Sequence, residues 1–166
     1  MRTRRAIAHV PYGSRLLLVA LCVLAWSAPG YSQRDPAIGK WKLNVAKSIY
    51  RPGVTPPKSA LVTIEPAGQG IKVTVKTIGG NGETTELHYT AYVDGNDYPV
   101  TGSRDYDSVS LQHVGLVVEG TRKKGGKVVQ TYQRVLSSDG KTMTVATTWM
   151  TPQGQQINTV SVYERQ

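Results

Sequence analysis

Polar and apolar residues alternate along most of the chain after residue 59. Ile71, Val73 and Val75 share one face of an extended segment, and the lysines and threonines between them share the other. The run 83–93 repeats this two-residue period, and no stretch after residue 59 keeps the 3.6-residue period of a helix. The pattern therefore predicts β-strands with one wet face and one dry face.

Turn signals divide this part of the chain into short segments. Asn81-Gly82, Asp94-Gly95, Gly125-Gly126 and Asp139-Gly140 supply residues that tolerate the positive φ of tight hairpins. Connections this short join antiparallel neighbours. Together with one strand near the start, the predicted strands cover residues 40–44, 59–65, 70–78, 83–93, 97–101, 108–114, 116–122, 127–136, 141–149 and 155–164.

The fold class predicted from these segments is all-β. A long antiparallel meander leaves two exposed edges unless it closes on itself, and closure produces an up-and-down barrel. Between the first two strands, four prolines and glycines in residues 52–57 exclude a long regular element, and one helical turn is predicted near residues 45–49. A barrel of about ten strands has room for one small ligand.

The first 32 residues have a different pattern. Four arginines precede an apolar run from Leu16 to Trp26, and small residues follow it up to Ser32. This order predicts a signal peptide that is cleaved after Ser32, which leaves residues 33–166 as a single barrel domain in the periplasm or outside the cell. The apolar run is shorter than the roughly 18 residues of a membrane span, so no transmembrane anchor is expected.

Cysteine content and charge narrow the function classes further. The only cysteine, Cys22, lies inside the apolar run, so the mature protein is expected to be held together by its core and not by disulfides. The leader contains four of the 20 basic residues and none of the 11 acidic ones, so the rest of the chain has a net charge of +5. Acids and bases are interspersed there, which argues against a nucleic-acid partner. The basic run 122–124 beside Gly125-Gly126 is interpreted as a solvated hairpin tip, and contact with an anionic lipid or cell-wall polymer is the alternative.

Catalytic and metal-binding motifs are missing from the mature sequence. It contains no Gly-x-Ser-x-Gly elbow, phosphate loop or His-x-x-x-His pair, so no catalytic residue, metal ligand or cofactor is predicted. His88 and His113 lie on separate predicted strands, and haem ligation by one of them is a minor alternative. The aspartates between residues 94 and 107 lack the spacing of a calcium loop and are interpreted as turn residues.

The first strand carries a resemblance to a known superfamily. The segment 39–43, Gly-Lys-Trp-Lys-Leu, resembles the Gly-x-Trp opening of the calycins, the group of lipocalins and fatty-acid-binding proteins, and residues 162–165 are similar to the closing strand of the fatty-acid-binding branch. The chain also resembles small secreted bacterial lipocalin-like proteins without an assigned role. The resemblance implies structural roles for Gly39, Trp41 and Arg165: Trp41 closes one end of the barrel, and Arg165, or Arg134 as second candidate, lies over its ring.

The resemblance also implies a place to look for ligand contacts. Fatty-acid-binding proteins hold a carboxylate with an Arg-x-Tyr pair on the last strand, but Ser161 stands where that arginine would be, two residues before Tyr163. Arg134 follows Tyr132 by two residues, so both fall on one face of a strand and are candidates to replace the pair. An outward, solvated Arg134 is the alternative. The candidate ligand-binding residues are Arg134, Tyr132, Tyr163 and Tyr89.

The sequence leaves two leading functions and a third alternative. One is a non-catalytic exported barrel that binds or carries a small hydrophobic or amphipathic ligand with one acidic end. The other is a structural or interaction module at the cell envelope, with a barrel core filled by side chains and an unknown protein partner. An enzyme built in the barrel mouth is a third alternative. The interior separates the first two, because a ligand needs accessible space with a few converging polar groups.

Overall fold

The computed structural model describes residues 35–166, and this part of the chain is all-β. A 3₁₀ turn, Val45–Lys47, follows the first strand, where a helical turn was expected, and the Asn44 side chain accepts a hydrogen bond from the Lys47 amide. No helix in this range has the length and apolar character of a bilayer span. The ten strands are β1 (Gly39–Leu43), β2 (Ser59–Ala67), β3 (Gly70–Ile78), β4 (Thr84–Ala91), β5 (Tyr98–Thr101), β6 (Ser108–Val114), β7 (Val117–Lys124), β8 (Lys127–Leu136), β9 (Thr142–Met150) and β10 (Gln156–Arg165).

The strands form a closed antiparallel barrel in which each pairs with its neighbours in sequence and β1 pairs with β10. The predicted fold class is therefore confirmed. Most strand ends agree with the prediction within one or two residues, because the alternation and the glycine turns are local signals. Gly125 and Gly126, for example, have φ values of 54° and 78° at the β7–β8 hairpin, a conformation that suits glycine. The strand β7 runs two residues further than predicted, to Lys124.

One end of the barrel is closed by the first strand and the residues before it. Trp41 is fully buried, and its Nε1–H donates a hydrogen bond of 2.7 Å to the Ala37 carbonyl. The Arg165 guanidinium lies 4.2 Å from the Trp41 ring centroid and donates to the carbonyls of Pro36 and Ile38. A Cβ at Gly39 would come within 2.7 Å of Arg165 Nη1. Gly39 thus makes room for the guanidinium over the indole, the placement that the resemblance implied for Arg165.

Burial of the inward side chains falls from this closed end towards the opposite, open end on β3, β4, β7, β8 and β9. On β9, for instance, Met143 is buried, while Val145 and Thr147 are half-buried. The strands β2, β6 and β10 differ, because they also have buried side chains near the open end: Ala60, Val109, Ile157 and Thr159. The closed half is packed with side chains, whereas part of the open half leaves inward side chains only half-buried, among them Val75, Leu87, Tyr89, Arg122, Gln130 and Thr147.

Candidate functional site

An arginine, Arg122, lies inside the open half of the barrel, two residues from the end of β7. The Arg122 guanidinium carbon is 4.8 Å from the centroid of the Tyr106 ring and 4.5 Å from that of Tyr132, and both distances are within the range of cation–π contacts. Its Nη1 also donates to Oε1 of Gln130, its cross-strand partner on β8. The interpretation of Arg122 as part of a solvated tip is wrong, because β7 continues to Lys124 and Arg122 alternates inward with Gly120.

Two further tyrosines surround this arginine. Tyr89 on β4 and Tyr163 on β10 both interact electrostatically with Arg122. We call Tyr89, Tyr106, Arg122, Tyr132 and Tyr163 the tyrosine–arginine cluster. All four aromatic residues of the cluster are tyrosines, and each has a hydroxyl group that can donate a hydrogen bond. The chain contains no phenylalanine.

A glycine sets the position of one of the rings. Gly120 is the cross-strand partner of Tyr132, and a Cβ added to Gly120 would overlap the Tyr132 ring. The ring therefore lies flat against the backbone of β7, where it meets Arg122 two residues further along the strand. A side chain at position 120 would push the ring away from the guanidinium, so the glycine is part of how the cluster is built.

The charge of Arg122 has no counterion within the described part of the chain, since no carboxylate there lies at ion-pair distance from it. Burial lowers the pKa of Arg122, but the oxygens of Tyr106, Tyr132, Tyr89 and Tyr163 act in the opposite direction, and the net pKa is raised. The guanidinium therefore stays charged at any physiological pH. A charge held inside a protein without an opposite charge is costly, and a bound anion would offset that cost.

Burial also raises the pKa values of phenol groups around Arg122. It raises the pKa of Tyr163 to about 12, with a smaller contribution from Tyr50, and raises the pKa of Tyr89 well above its usual value. The pKa of Tyr106 is raised for the same reason. At neutral pH these phenols are uncharged, so the cluster offers one positive charge and several neutral O–H donors.

This gives an expected pH dependence of stability. Because the folded-state pKa of Tyr163 is about 12 and the ordinary value is 10.0, the stabilisation from its neutral form is complete below pH 10 and is lost as the pH rises towards 12. We expect the free energy of unfolding to fall in this window and phenolate absorbance to show late-titrating tyrosines. In Tyr163→Phe the decline should be smaller. Titration of every tyrosine near pH 10, with no change in stability, would contradict the burial of these phenols.

Arg134, the predicted ligand anchor, points inward but has a partner of its own. Its Nη2 lies 2.6 Å from Oδ2 of Asp35, and both side chains are only 9% exposed. The structure thus brings three predicted ligand residues, Tyr89, Tyr132 and Tyr163, together around Arg122 and holds Arg134 in an ion pair nearer the closed end. Arg122 was not among the residues predicted from the sequence. Its two-residue spacing from Gly120 was a usable signal, because it puts both residues on the same face of β7.

The other candidate residues lie away from the cluster. His88 and His113 are exposed on separate strands. Asp94 accepts hydrogen bonds from Asn96 and from the Tyr98 hydroxyl, as expected of a turn residue. Within residues 35–166, no group of three or more histidine, cysteine, aspartate or glutamate side chains is placed to hold a metal ion.

Two clefts lie elsewhere on the barrel. A cleft of about 730 Å³ at the closed end is lined by Asp35, Tyr92, Asp94, His113 and Leu116 among others, and its lining contains no lysine or arginine. A second, of about 400 Å³, lies along β7, β8 and β9 and is lined mainly by outward residues such as Glu119, Gln133 and Thr148. Neither cleft includes Arg122, although Tyr132 of the tyrosine–arginine cluster also lines the second one.

Comparison with known proteins supports the architecture. No family model matches the chain, and no curated protein matches it by sequence. The zebrafish ileal bile acid-binding protein, crystallised with cholic acid, superposes with a TM-score of 0.51 at 13% identity, over 80% of this chain and 100% of that one. The fold is calycin-like. The siderocalin Ex-FABP matches with a TM-score of 0.40 at 11% identity, over 80% of this chain and 75% of that one.

Proposed function

We propose that this protein is a non-catalytic carrier barrel that binds a small, largely apolar molecule with one acidic end, and that Arg122 holds the acid. The observation that carries the proposal is the charged Arg122 in the accessible half of the barrel, with no carboxylate at ion-pair distance among the described residues. The alternative, an interaction module with a filled core, fits the closed half but not the accessible side chains of the open half.

The chemistry of the cluster matches a single negative charge. A carboxylate that replaces water beside Arg122 gains a charge-assisted hydrogen bond, and neutral phenols such as Tyr89 and Tyr163 can donate to its remaining lone pairs. The rest of the ligand would contact the inward apolar residues Val75 and Leu87, which are half-buried in the same part of the barrel. Arg134 is less suited as the anchor, because Asp35 already neutralises it.

Ligand binding with and without the anchor tests the proposal. We expect a fluorescent fatty acid or cholate to bind saturably to the wild type, and Arg122→Gln to weaken binding by about ten- to a hundredfold, the value of one charge-assisted hydrogen bond. Arg104→Gln is the matched control, because Arg104 lies exposed near the open end and should leave affinity unchanged. Circular dichroism of both variants checks that the barrel remains folded.

Two results would argue against this function. If neither probe binds and mass spectrometry finds no small molecule co-purifying with the native protein, the interaction module becomes the better hypothesis. If binding occurs but Arg122→Gln and Arg104→Gln have the same affinity, the barrel is a carrier whose anchor is not Arg122.

The proposal includes export. Its support is the order of arginines, apolar run and small residues in the first 32 residues, which lie entirely before the described part of the chain. We expect the protein recovered from the cell envelope or the medium to begin close to Gln33, and N-terminal sequencing measures this directly. A cytoplasmic chain that begins at Met1 would remove the compartment from the proposal and leave the barrel unaffected.

A further inference from the structure

The open end of the barrel carries exposed apolar side chains at the β7–β8 hairpin and the adjoining end of β9. Val128, Val129 and Met150 are 58%, 36% and 57% exposed. A β-bulge causes part of this exposure: Arg122 pairs with Gln130 but Lys123 pairs with Val128, so Val129 is an extra residue. The bulge shifts the alternation of β8 and turns Val128 to the outer face.

These three side chains are neighbours. Gln130 pairs with Trp149 across β8 and β9, so Val129 and Met150 are the next residues along the two strands towards the rim. Natural barrels usually end in polar turns, because exposed apolar residues gain nothing from contact with water. A contiguous group at a strand end therefore indicates a surface that is covered in use.

Positive charges stand directly beside this group. Lys124 and Lys127 are cross-strand partners at the hairpin tip, and within residues 35–166 neither forms an ion pair. The nearby acids are engaged elsewhere: Asp97 pairs with Lys123, and Asp107 accepts from the Gly125 amide. The tip thus presents free ammonium groups next to apolar side chains.

Exposed apolar residues also lie close to basic residues on the opposite side of the barrel mouth. Ile78 is exposed at the end of β3, and its carbonyl accepts from the amide of Lys58. Ile49 is exposed as well, two residues before Arg51. At the closed end, exposed Tyr92 and Leu116 line a cleft that contains two aspartates and no lysine or arginine.

We propose that the open rim of this barrel, formed by Lys124, Lys127, Val128, Val129 and Met150, docks on an anionic lipid surface. Apolar side chains flanked by lysines suit the boundary between acyl chains and headgroups, where the lysines meet lipid phosphates. Docking in this orientation turns the mouth towards the bilayer, where apolar acids partition. The inference goes beyond ligand binding and holds whether or not Arg122 is the anchor.

Vesicle binding of the exported protein tests the docking surface. We expect sedimentation with vesicles of equal parts phosphatidylglycerol and phosphatidylcholine, and weak or no sedimentation with phosphatidylcholine alone. Lys124→Gln/Lys127→Gln should weaken binding about thirtyfold, because each lysine near an anionic membrane contributes about a fivefold factor. Val128→Ser/Val129→Ser should weaken it by about tenfold or more.

Matched controls separate the rim from net charge and general hydrophobicity. Lys40→Gln/Lys72→Gln removes the same charge from exposed positions away from the hairpin tip, and Val135→Ser removes an exposed valine from the other end of β8. Both controls should bind like the wild type. The proposal is overturned if the wild type does not bind the mixed vesicles, if it binds phosphatidylcholine equally well, or if the controls weaken binding as much as the rim variants. Far-ultraviolet circular dichroism verifies that every variant is folded.

Discussion

Replacing Trp41 by alanine should destabilise the barrel by about 3 to 5 kcal/mol, the cost of removing a large buried aromatic side chain and leaving a cavity. Trp41 is fully buried, donates to the Ala37 carbonyl and lies under the Arg165 guanidinium. One substitution thus removes the packing of the closed end together with the contacts that hold residues 36–38 across it. Chemical denaturation followed by circular dichroism measures the change.

Trp149→Ala serves as the comparison for this prediction. Trp149 is the other tryptophan of the described chain, and it is only half-buried, on β9 near the open end. Its loss should therefore cost clearly less than that of Trp41. Equal stability of Trp41→Ala and the wild type would mean that the Gly-x-Trp segment does not organise the closed end, and that the resemblance to the calycin opening is accidental.

Asp35→Asn is expected to have a similarly large effect. The ion pair between Asp35 and Arg134 has both side chains only 9% exposed, and removing one partner of a buried pair costs about 3 to 5 kcal/mol because it leaves an uncompensated charge inside the protein. The double variant Asp35→Asn/Arg134→Met should recover most of this loss, since it removes the stranded charge as well. Unfolding free energies of the single and double variants measure the difference.

An exposed ion pair provides the control. Lys47 and Glu164 lie 2.9 Å apart, but both side chains are well exposed, so Glu164→Gln should cost less than about 1 kcal/mol. If Asp35→Asn is no more destabilising than Glu164→Gln, the Asp35–Arg134 pair is not part of the closed end in solution. Arg134 would then be available as a ligand anchor, as the spacing from Tyr132 first suggested.

The two substitutions test different contributions to the protein: packing of the closed end, and the neutralisation of an internal charge. Trp41 supplies packing, and its loss weakens the whole barrel. The Asp35–Arg134 pair decides which internal arginine is free: while Asp35 neutralises Arg134, Arg122 is the internal cation that remains for an anion. Asp35→Asn should therefore leave a second positive charge, that of Arg134, without a partner in the interior, and ligand affinity measured in that variant would show how this affects binding at Arg122.

Local signals explain why the strands were predictable. Strands such as β3 and β8 were predicted with their observed ends, because alternation and turn glycines act over a few residues. One difference is instructive: β4 ends at Ala91 and not at 93, since Asp94 organises its own turn with Asn96 and Tyr98. The side chain of one turn residue, in hydrogen bonds to its neighbours, overrode an alternating pattern that continued past it.

The candidate site was predicted only in part for the opposite reason. Tyr132 was proposed from its spacing to Arg134, and Tyr163 from the resemblance to fatty-acid-binding proteins, but their placement beside Arg122 depends on the register of several strands. Asp35, the partner of Arg134, lies 99 positions away in sequence, so no local sequence pattern predicts the ion pair. Three consecutive basic residues beside a glycine pair indicated a solvated tip, and only the length of β7 shows that the first of them points inward.

The sequence by itself determined that this is an all-β chain of about ten antiparallel strands opening on Gly39 and Trp41, because hydrophobic period and turn chemistry are properties of neighbouring residues. Only the tertiary structure decided which internal charge is neutralised and which is left free. Closing the barrel brings Asp35 to Arg134 and surrounds Arg122 with tyrosines, and the energy of an internal charge depends on what lies within a few ångströms of it, wherever those groups stand in the chain.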